Sequence, residues 1–244
     1  MTNVLAGPFC CHQLVHLGAE VIKVEVPERG DLARQLGADL ELNERLMGTS
    51  FLAQNAGKRS LTLNLKHEEG RVLFRKIVGT ADVVVENFRP GVMDRLGLGF
   101  EMLKQVNPQL VYCAISGYGQ NGPLRDSPAY DQIVQGLSGA MSVTGTDTSG
   151  PLRAGFPIAD TLGGLTAALG VCAALAKPQR EAVLIDVSML ESTMAAMGWV
   201  ISNHLSAWSC PCPDGQRKLH LRPVRDFSNW RGLAQHCRQQ AGTV

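Results

Sequence analysis

The sequence has almost no net charge, few aromatic residues and no long uninterrupted apolar run. Its 23 Lys and Arg against 22 Asp and Glu create no overall field that favours nucleic acid or an anionic membrane. No run reaches the roughly 18 uncharged apolar residues of a membrane span, so no transmembrane helix is expected. The N-terminus has no basic region of the kind that signal peptides carry. We therefore expect a cytoplasmic protein.

The seven cysteines are odd in number, and no C-x-x-C spacing repeats among them. Cys113 and Cys172 lie in apolar segments, where small core residues are common. A secreted disulfide framework and a structural zinc site are both unexpected. The 45% share of hydrophobic residues over 244 positions indicates a globular chain of one or two domains.

Short apolar runs alternate with helical patterns along most of the chain. The patterns predict strands at 19–26, 61–65, 82–86, 109–115 and 182–187, and helices at 68–79, 129–141, 161–176 and 189–205. This alternation predicts an α/β fold, a Rossmann-like parallel sheet with flanking helices. The helix over 161–176 is apolar all round, which predicts that it is buried.

The familiar motifs of phosphate, zinc and serine-hydrolase sites are missing: there is no G-x-x-x-x-G-K-[ST], H-E-x-x-H or G-x-S-x-G. Glu25 ends a predicted strand, where a dinucleotide's ribose ligand would stand, but no G-x-G-x-x-G precedes it. Asp31 is placed to cap a short helix that runs through Arg34.

Asp160 directly precedes the predicted helix 161–176, in the run GFPIADTLGGL. One interpretation is an N-cap that accepts hydrogen bonds from the free N–H groups of the first turn. The other interpretation uses the same groups, because a helix N-terminus stabilises an ionised carboxylate. Such a carboxylate can attack an activated acyl group, and the nearby glycines would admit a bulky thioester.

Basic residues lie near the ends of several predicted strands, and some of them directly follow a strand. They are Arg34, Lys58, Arg59, Lys66, Arg89 and Arg95. Each alone is typical of a solvated surface. Ligands of open α/β sheets bind at the carboxyl ends of the strands, so a cluster there would suit an anion with several phosphates.

Ordered sequence blocks then resemble one family over about residues 2–205. The blocks are NVLAGPF, GAEVIKVEVPERGDLAR, NAGKRSLTLNLK, ADVVVENFRPGVMDRLGLG, SGYGQNGP, PAYDQIVQGLSG and the AD of PIADTLGG. They are similar to the class III CoA-transferases, the family of formyl-CoA transferase and carnitine CoA-transferase. Within that family the chain most resembles members that use succinyl-CoA or related short acyl donors.

The resemblance implies transfer of CoA between an acyl-CoA and a carboxylic acid. Asp160 matches the family's nucleophile, which forms an aspartyl–acyl mixed anhydride and then an aspartyl-CoA thioester. The resemblance also carries over ten CoA-contacting positions. Arg34 would meet the nucleotide phosphate, Leu63 and Lys66 the adenine side, Tyr118 the pantetheine, and Met189 the same channel. Asn87, Phe88 and Arg95 match further CoA contacts of the family, and Asn3 and Leu5 fall near the thioester. CoA is implied as substrate, with no tightly bound cofactor and no metal.

The chain also departs from the family pattern. The family's strand before the NVLAGP block is expected to be absent here, or the start of the chain to be misassigned, so residues 1–205 are expected to form a partial large domain. The basic segment 206–244 is expected to be a non-family, disordered tail, arising from a shifted reading frame or from a natural truncation. The family forms interlocked homodimers, an arrangement this chain is not expected to close. An inactive CoA-binding or interaction fragment, and a remnant that does not fold, remain as alternatives to an active enzyme.

Overall fold

The expected α/β architecture is confirmed in the computed structural model, which describes residues 1–146 and 148–207. The part of the expected tail from residue 208 onward lies outside the described residues. The chain divides into two compact units. The first comprises Met1–Ser127 and Gly163–Ser188, and the second comprises Pro128–Leu162 and the residues from Met189 onward.

The described residues form ten α-helices, seven strands and two short 3-10 helices, at Leu32–Gln35 and Ala140–Val143. The α-helices are α1 (Ala6–His16), α2 (Leu40–Glu44), α3 (Thr49–Asn55), α4 (Glu68–Val78), α5 (Val92–Arg95), α6 (Phe100–Val106), α7 (Asp131–Leu137), α8 (Ile158–Leu175), α9 (Met189–Ala196) and α10 (Gly198–Ala207). The strands are β1 (Ile22–Glu25), β2 (Arg59–Thr62), β3 (Val83–Glu86), β4 (Val111–Ser116), β5 (Gly145–Thr146), β6 (Gly150–Pro151) and β7 (Val183–Ser188).

Two parallel ladders organise the first unit. β1 pairs with β2, and β4 pairs with both β3 and β7, in the order β3-β4-β7. Residues 1–2 bond to both ladders: the Met1 ammonium donates to the Val85 carbonyl at 2.8 Å, and Lys23 Nζ donates to the Thr2 carbonyl at 3.0 Å. The second unit contains the small antiparallel hairpin β5-β6.

One apolar core packs against one face of both ladders. It is formed by Val24, Phe74, Val78, Val84, Met93, Leu98, Leu103, Leu110, Tyr112 and Ala114. Since side chains alternate across a strand, Val85 and Cys113 face away from this core, and both are buried as well. The β3-β4 pair is thus covered on both faces, as strands of a parallel sheet normally are.

The prediction of one continuous helix over 189–205 is wrong. α9 ends at Ala196 and α10 begins at Gly198, so the segment is two helices. Glycine is the weakest ordinary helix former, which gives a physical reason for the break at this point. The predicted strand 61–65 also begins two residues too late, because the ladder with β1 pairs Ile22 with Arg59.

The expectation that the helix over 161–176 is buried all round is wrong. α8 begins at Ile158 and buries one face, while Leu165 is 50% exposed and Leu169 is 71% exposed. In length and composition α8 also matches a membrane span, with a mean hydropathy of 1.6 and 39% of its residues buried. Core helices of soluble proteins share these properties, so the match is weak evidence for a membrane.

Gly164 lets α8 approach α1 closely. A Cβ at this position would lie 2.5 Å from the Ala6 carbonyl oxygen and 3.2 Å from the Cys10 backbone nitrogen. Both of these atoms belong to the backbone of a packed helix, which cannot swing aside as a side chain can.

Glu86 is a carboxyl group at the end of β3 with only 5% of its surface exposed. Burial is the main cause that raises the pKa of Glu86, the neighbouring Asp94 and Asp186 add to the rise, and the net pKa is about 7. Its Oε2 accepts the Phe88 N–H at 2.7 Å, which lowers the pKa and limits the rise.

We predict that Gly164→Ala lowers the free energy of unfolding by about 1–3 kcal/mol, because a methyl group there overlaps backbone atoms of α1. Urea denaturation measures this loss. Gly170→Ala in the same helix is the control, since its new Cβ would meet only the Ile185 side chain, at 3.2 Å. Equal losses in both variants would contradict the close approach.

We also predict that Glu86→Gln gains stability relative to the wild type as pH rises. The folded-state pKa of about 7 exceeds the ordinary value of 4.5, so the wild type loses stability between these pH values. The relative gain should be about 2–3 kcal/mol between pH 4.5 and 8 in urea denaturation. Glu69→Gln, on the exposed side of α4, should follow the wild type at every pH. A constant difference between Glu86→Gln and the wild type would overturn the prediction.

Candidate functional site

The carboxyl ends of the parallel strands gather most of the predicted CoA positions. Leu63 directly follows β2, and Asn87 and Phe88 directly follow β3. Tyr118 comes two residues after β4, and Met189 is the first residue after β7. This is the edge at which open α/β sheets bind ligands. Leu63, Asn87, Phe88 and Tyr118 of the first unit therefore all follow the carboxyl end of a strand, whereas Met189 belongs to the second unit.

Asn3 and Asn87 bond to each other. The Asn87 amide accepts the Asn3 N–H at 2.8 Å and donates to the Asn3 carbonyl at 2.9 Å. Asn3 Oδ1 accepts the Leu32 N–H at 3.0 Å, so the segment before α1 is tied to the loop after β1. Leu5 is the N-cap residue of α1 and has no side-chain cap bond. These residues hold backbone segments in place at the strand ends.

Leu63 and Phe88 pack against the apolar core of the first unit as partly buried side chains. Lys66 and Arg95 are exposed. Among the residues that the structure describes, neither of these two cations has a side-chain hydrogen bond or ion pair. Both charges therefore remain available to an anionic ligand.

Arg34 is held by a carboxylate of its own chain. Its Nε and Nη2 donate to the two oxygens of Glu25 at 2.8 and 2.7 Å. Glu25 also accepts from Ser60 Oγ and from the Asp31 N–H, at 2.7 and 2.9 Å. The Glu25 carboxylate is thus committed to protein donors, which removes it as a ribose ligand.

The loop after β4 is anchored at two points. Ser116 Oγ accepts the Gly119 N–H at 3.0 Å, and the Asp186 carboxylate accepts the Gln120 N–H at 2.9 and 3.1 Å. Tyr118 lies half-buried between these anchors, and burial raises its pKa. A tyrosine held in this way offers an apolar ring with a neutral hydroxyl.

A cavity of about 260 Å³ also lies in the first unit. Its polar lining includes Glu86, Asp94, Glu101, Gln120 and Arg125, beside the Phe100 and Tyr112 rings. None of the predicted site residues lines it. Within residues 1–146 and 148–207, no group of three His, Cys, Asp or Glu side chains is arranged to hold a metal ion.

The second unit carries Asp160, and the structure corrects its place in the helix. Asp160 is the third residue of α8, so it lies inside the first turn and is not the N-cap. Pro157 precedes the helix, a position at which its fixed φ and missing N–H favour an earlier start. The dipole of an 18-residue helix stabilises negative charge in its first turn.

Asp131, the first residue of α7, supplies the acceptor for this helix end. Its Oδ1 accepts the N–H groups of Ala159 and Asp160 at 2.8 and 3.3 Å, and its Oδ2 accepts Gln135 Nε2 at 2.6 Å. Sequence reasoning missed this role. An aspartate at a predicted helix start was a usable signal, but the bond crosses 28 positions of the sequence.

The profile of CoA-transferase family III matches residues 1–230, which extends past residue 205, where we placed the end of the resemblance. Acetyl-CoA:oxalate CoA-transferase of Acetobacter aceti is 41% identical over 93% of this chain and 58% of its own length. Succinate–glutarate CoA-transferase of Agrobacterium fabrum is 40% identical over 91% of this chain and 57% of its own. The chain thus spans less than two thirds of the length of these curated relatives.

A solved structure of a CaiB/BaiF family protein from Brucella suis aligns with a TM-score of 0.81 and 38% identity, over 87% of this chain and 57% of that one. The shared architecture agrees with the parallel strands and flanking helices described above. Because the family profile matches residues 1–230 and the fold agrees with it, the chain belongs to CoA-transferase family III.

Proposed function

We propose that this chain carries the nucleophile and the CoA-binding strand ends of a CoA-transferase, which moves CoA between an acyl-CoA and a free carboxylic acid. The observation that carries the proposal is Asp160 in the first turn of α8, with Asp131 accepting the N–H groups of that turn. The names of the relatives support the reaction class, because both transfer CoA between carboxylic acids.

In the proposed reaction an Asp160 carboxylate oxygen attacks the thioester carbonyl carbon. The C–S bond breaks, CoA leaves as a thiolate, and a mixed anhydride joins Asp160 to the acyl group. The thiolate then attacks the Asp160 carbonyl carbon, which releases the first acid as a carboxylate and leaves an aspartyl-CoA thioester. The acceptor carboxylate repeats these two steps in reverse, so acyl-CoA forms and Asp160 is restored with no net proton change.

The ligand-binding part of the proposal rests on the strand ends of the first unit. We assign Arg34 to the nucleotide phosphate of CoA and Leu63 with Lys66 to its adenine side. Lys66 and Arg95 are exposed cations without side-chain partners in the described part of the chain, so both can attract an anionic ligand. Asn87, Phe88 and Arg95 are assigned to further contacts with CoA, Tyr118 to the pantetheine, and Met189 to the channel that the resemblance implies. Asn3 and Leu5 are assigned to the thioester end.

Succinyl-CoA or a similar short acyl-CoA is the proposed donor. The relative from Agrobacterium fabrum is named for succinate and glutarate, and the one from Acetobacter aceti for acetyl-CoA and oxalate. We also propose a cytoplasmic location, no tightly bound cofactor or metal, and a domain boundary near residue 205.

A second candidate is a CoA-binding or interaction fragment without transfer activity. Binding of CoA without exchange of a labelled acyl group would support this candidate over the first.

We predict that Asp160→Asn lowers the protein-dependent formation of hydroxamate from succinyl-CoA and hydroxylamine by about 10³-fold or more, because an amide cannot form the anhydride that hydroxylamine traps. The rate of the same mixture without protein is subtracted, since hydroxylamine also attacks the thioester directly. A colorimetric iron assay measures the hydroxamate. Asp126→Asn, at an exposed position, is the matched control and should retain the wild-type rate. Equal trapping by Asp160→Asn and the wild type would rule out Asp160 as the nucleophile.

We predict that Asp131→Ala loosens the first turn of α8, whereas Asp131→Asn keeps it. Asn retains one side-chain oxygen for the Ala159 and Asp160 N–H groups and loses only the hydrogen bond from Gln135 Nε2, whereas Ala loses every acceptor. Loss of a cap costs about 1 kcal/mol, so exchange of these two amide protons should become about fivefold faster in Asp131→Ala only. Hydrogen-exchange NMR measures both rates without any need for activity. Unchanged exchange in the Ala variant would show that Asp131 does not hold this turn.

A further inference from the structure

Arg34 is immobilised on several sides, although an exposed arginine that only attracts anions needs no such support. Glu25 binds one edge of the guanidinium through two hydrogen bonds. The Phe51 ring lies under its face, with Cζ 3.7 Å from the ring centroid. The Leu46 carbonyl accepts from Nη1 at 3.2 Å. Only 18% of the side chain is exposed.

Gly30 also packs closely against the Arg34–Glu25 pair. It has a φ of +66°, and a Cβ there would lie 2.6 Å from Arg34 Cδ and 2.8 Å from Glu25 Oε2. Any other residue would therefore strain the turn and displace the ion pair at once. The loop PERGDLAR is thus shaped around the Arg34–Glu25 pair.

The enclosure leaves part of the guanidinium available. An arginine has five N–H donors, and within the described residues three of them have partners: one on Nε, one on Nη1 and one on Nη2. One N–H on each terminal nitrogen is left over. Two such donors in one plane match two oxygens of a phosphate, provided that the plane is fixed.

Glu25 stays ionised in this setting. Burial alone would raise the pKa of Glu25, but the hydrogen bonds from Arg34, Ser60 and the Asp31 N–H lower it to about 2. The carboxylate therefore keeps both bonds to Arg34 at any pH near neutrality.

We propose that Glu25 and Phe51 are positioning residues for CoA, which hold Arg34 so that its two remaining N–H donors meet phosphate oxygens of the nucleotide half. The proposal rests on the CoA-transferase function above, and it adds the residues that determine the orientation of Arg34. The orientation and the charge of Arg34 predict opposite effects of removing Glu25 on phosphate binding. Glu25 cancels the positive charge of Arg34, so if charge alone mattered, its removal would strengthen phosphate binding. If orientation matters, its removal weakens binding.

The test uses Glu25→Gln and Phe51→Leu, with calorimetric titration of CoA and of pantetheine, which lacks the nucleotide phosphates. We expect the Kd for CoA to rise about tenfold in both variants and the Kd for pantetheine to stay unchanged. Glu28→Gln removes a negative charge from an exposed position of the same loop and should leave both Kd values unchanged. Circular dichroism confirms that each variant is folded before titration.

Four other outcomes would overturn the proposal. Unchanged or tighter CoA binding by Glu25→Gln would show that Arg34 acts as a charge only, and CoA transfer would still stand. An equal loss for CoA and pantetheine would show a general structural role. Binding of pantetheine but not of CoA by the wild-type chain would contradict the phosphate contact. Binding of neither ligand would contradict the proposed function itself.

Discussion

The buried ion pair between Lys23 and Asp31 is the interaction on which the strand-end site depends. Its Nζ–Oδ2 distance is 2.6 Å, and both side chains are almost without solvent contact. A buried pair of this kind is maintained only when other hydrogen bonds satisfy the remaining donors and acceptors. Lys23 also donates to the Thr2 carbonyl, and Asp31 accepts the N–H groups of Val4 and Ala33. One pair therefore fixes the N-terminal segment, β1 and the loop after it.

The consequences extend to the predicted ligand positions of the first unit. Because Thr2 and Val4 are held by Lys23 and Asp31, Asn3 between them is placed to exchange two hydrogen bonds with Asn87. Because the Asp31 N–H donates to Glu25, the same loop also fixes the position of the carboxylate that binds Arg34. Removing one partner of the buried pair would leave an uncompensated charge, which costs several kcal/mol. The site is thus built from backbone segments that electrostatics holds in register.

Sequence patterns predicted the parts of this arrangement that depend on local chemistry. The apolar runs at 82–86 and 109–115 became β3 and β4 with shifts of at most two residues, since a buried parallel strand is a continuous apolar run. Asp31 caps the short helix through Arg34, as its position predicted. α1 was missed, although Pro8 in its first turn is compatible with a helix because no partner is needed for its missing N–H.

Long-range partners escaped prediction for a physical reason. The sequence around Glu25 does not show whether this carboxylate binds a ribose or an arginine of its own chain. The difference depends on which hydrogen-bond donor the tertiary structure brings to the carboxylate. The same holds for Asp131, whose acceptor oxygen meets N–H groups 28 and 29 positions away. Resemblance supplied the residue types at these positions but not their bonds.

The two aspartates of the second unit show how one helix end serves two carboxylates. Asp131 on α7 accepts the N–H groups of Ala159 and Asp160 in the first turn of α8. The dipole of α8 stabilises negative charge in the same turn, where Asp160 lies. The early start of α8 at Ile158, which the sequence pattern did not predict, therefore places the proposed nucleophile inside the first turn instead of before it.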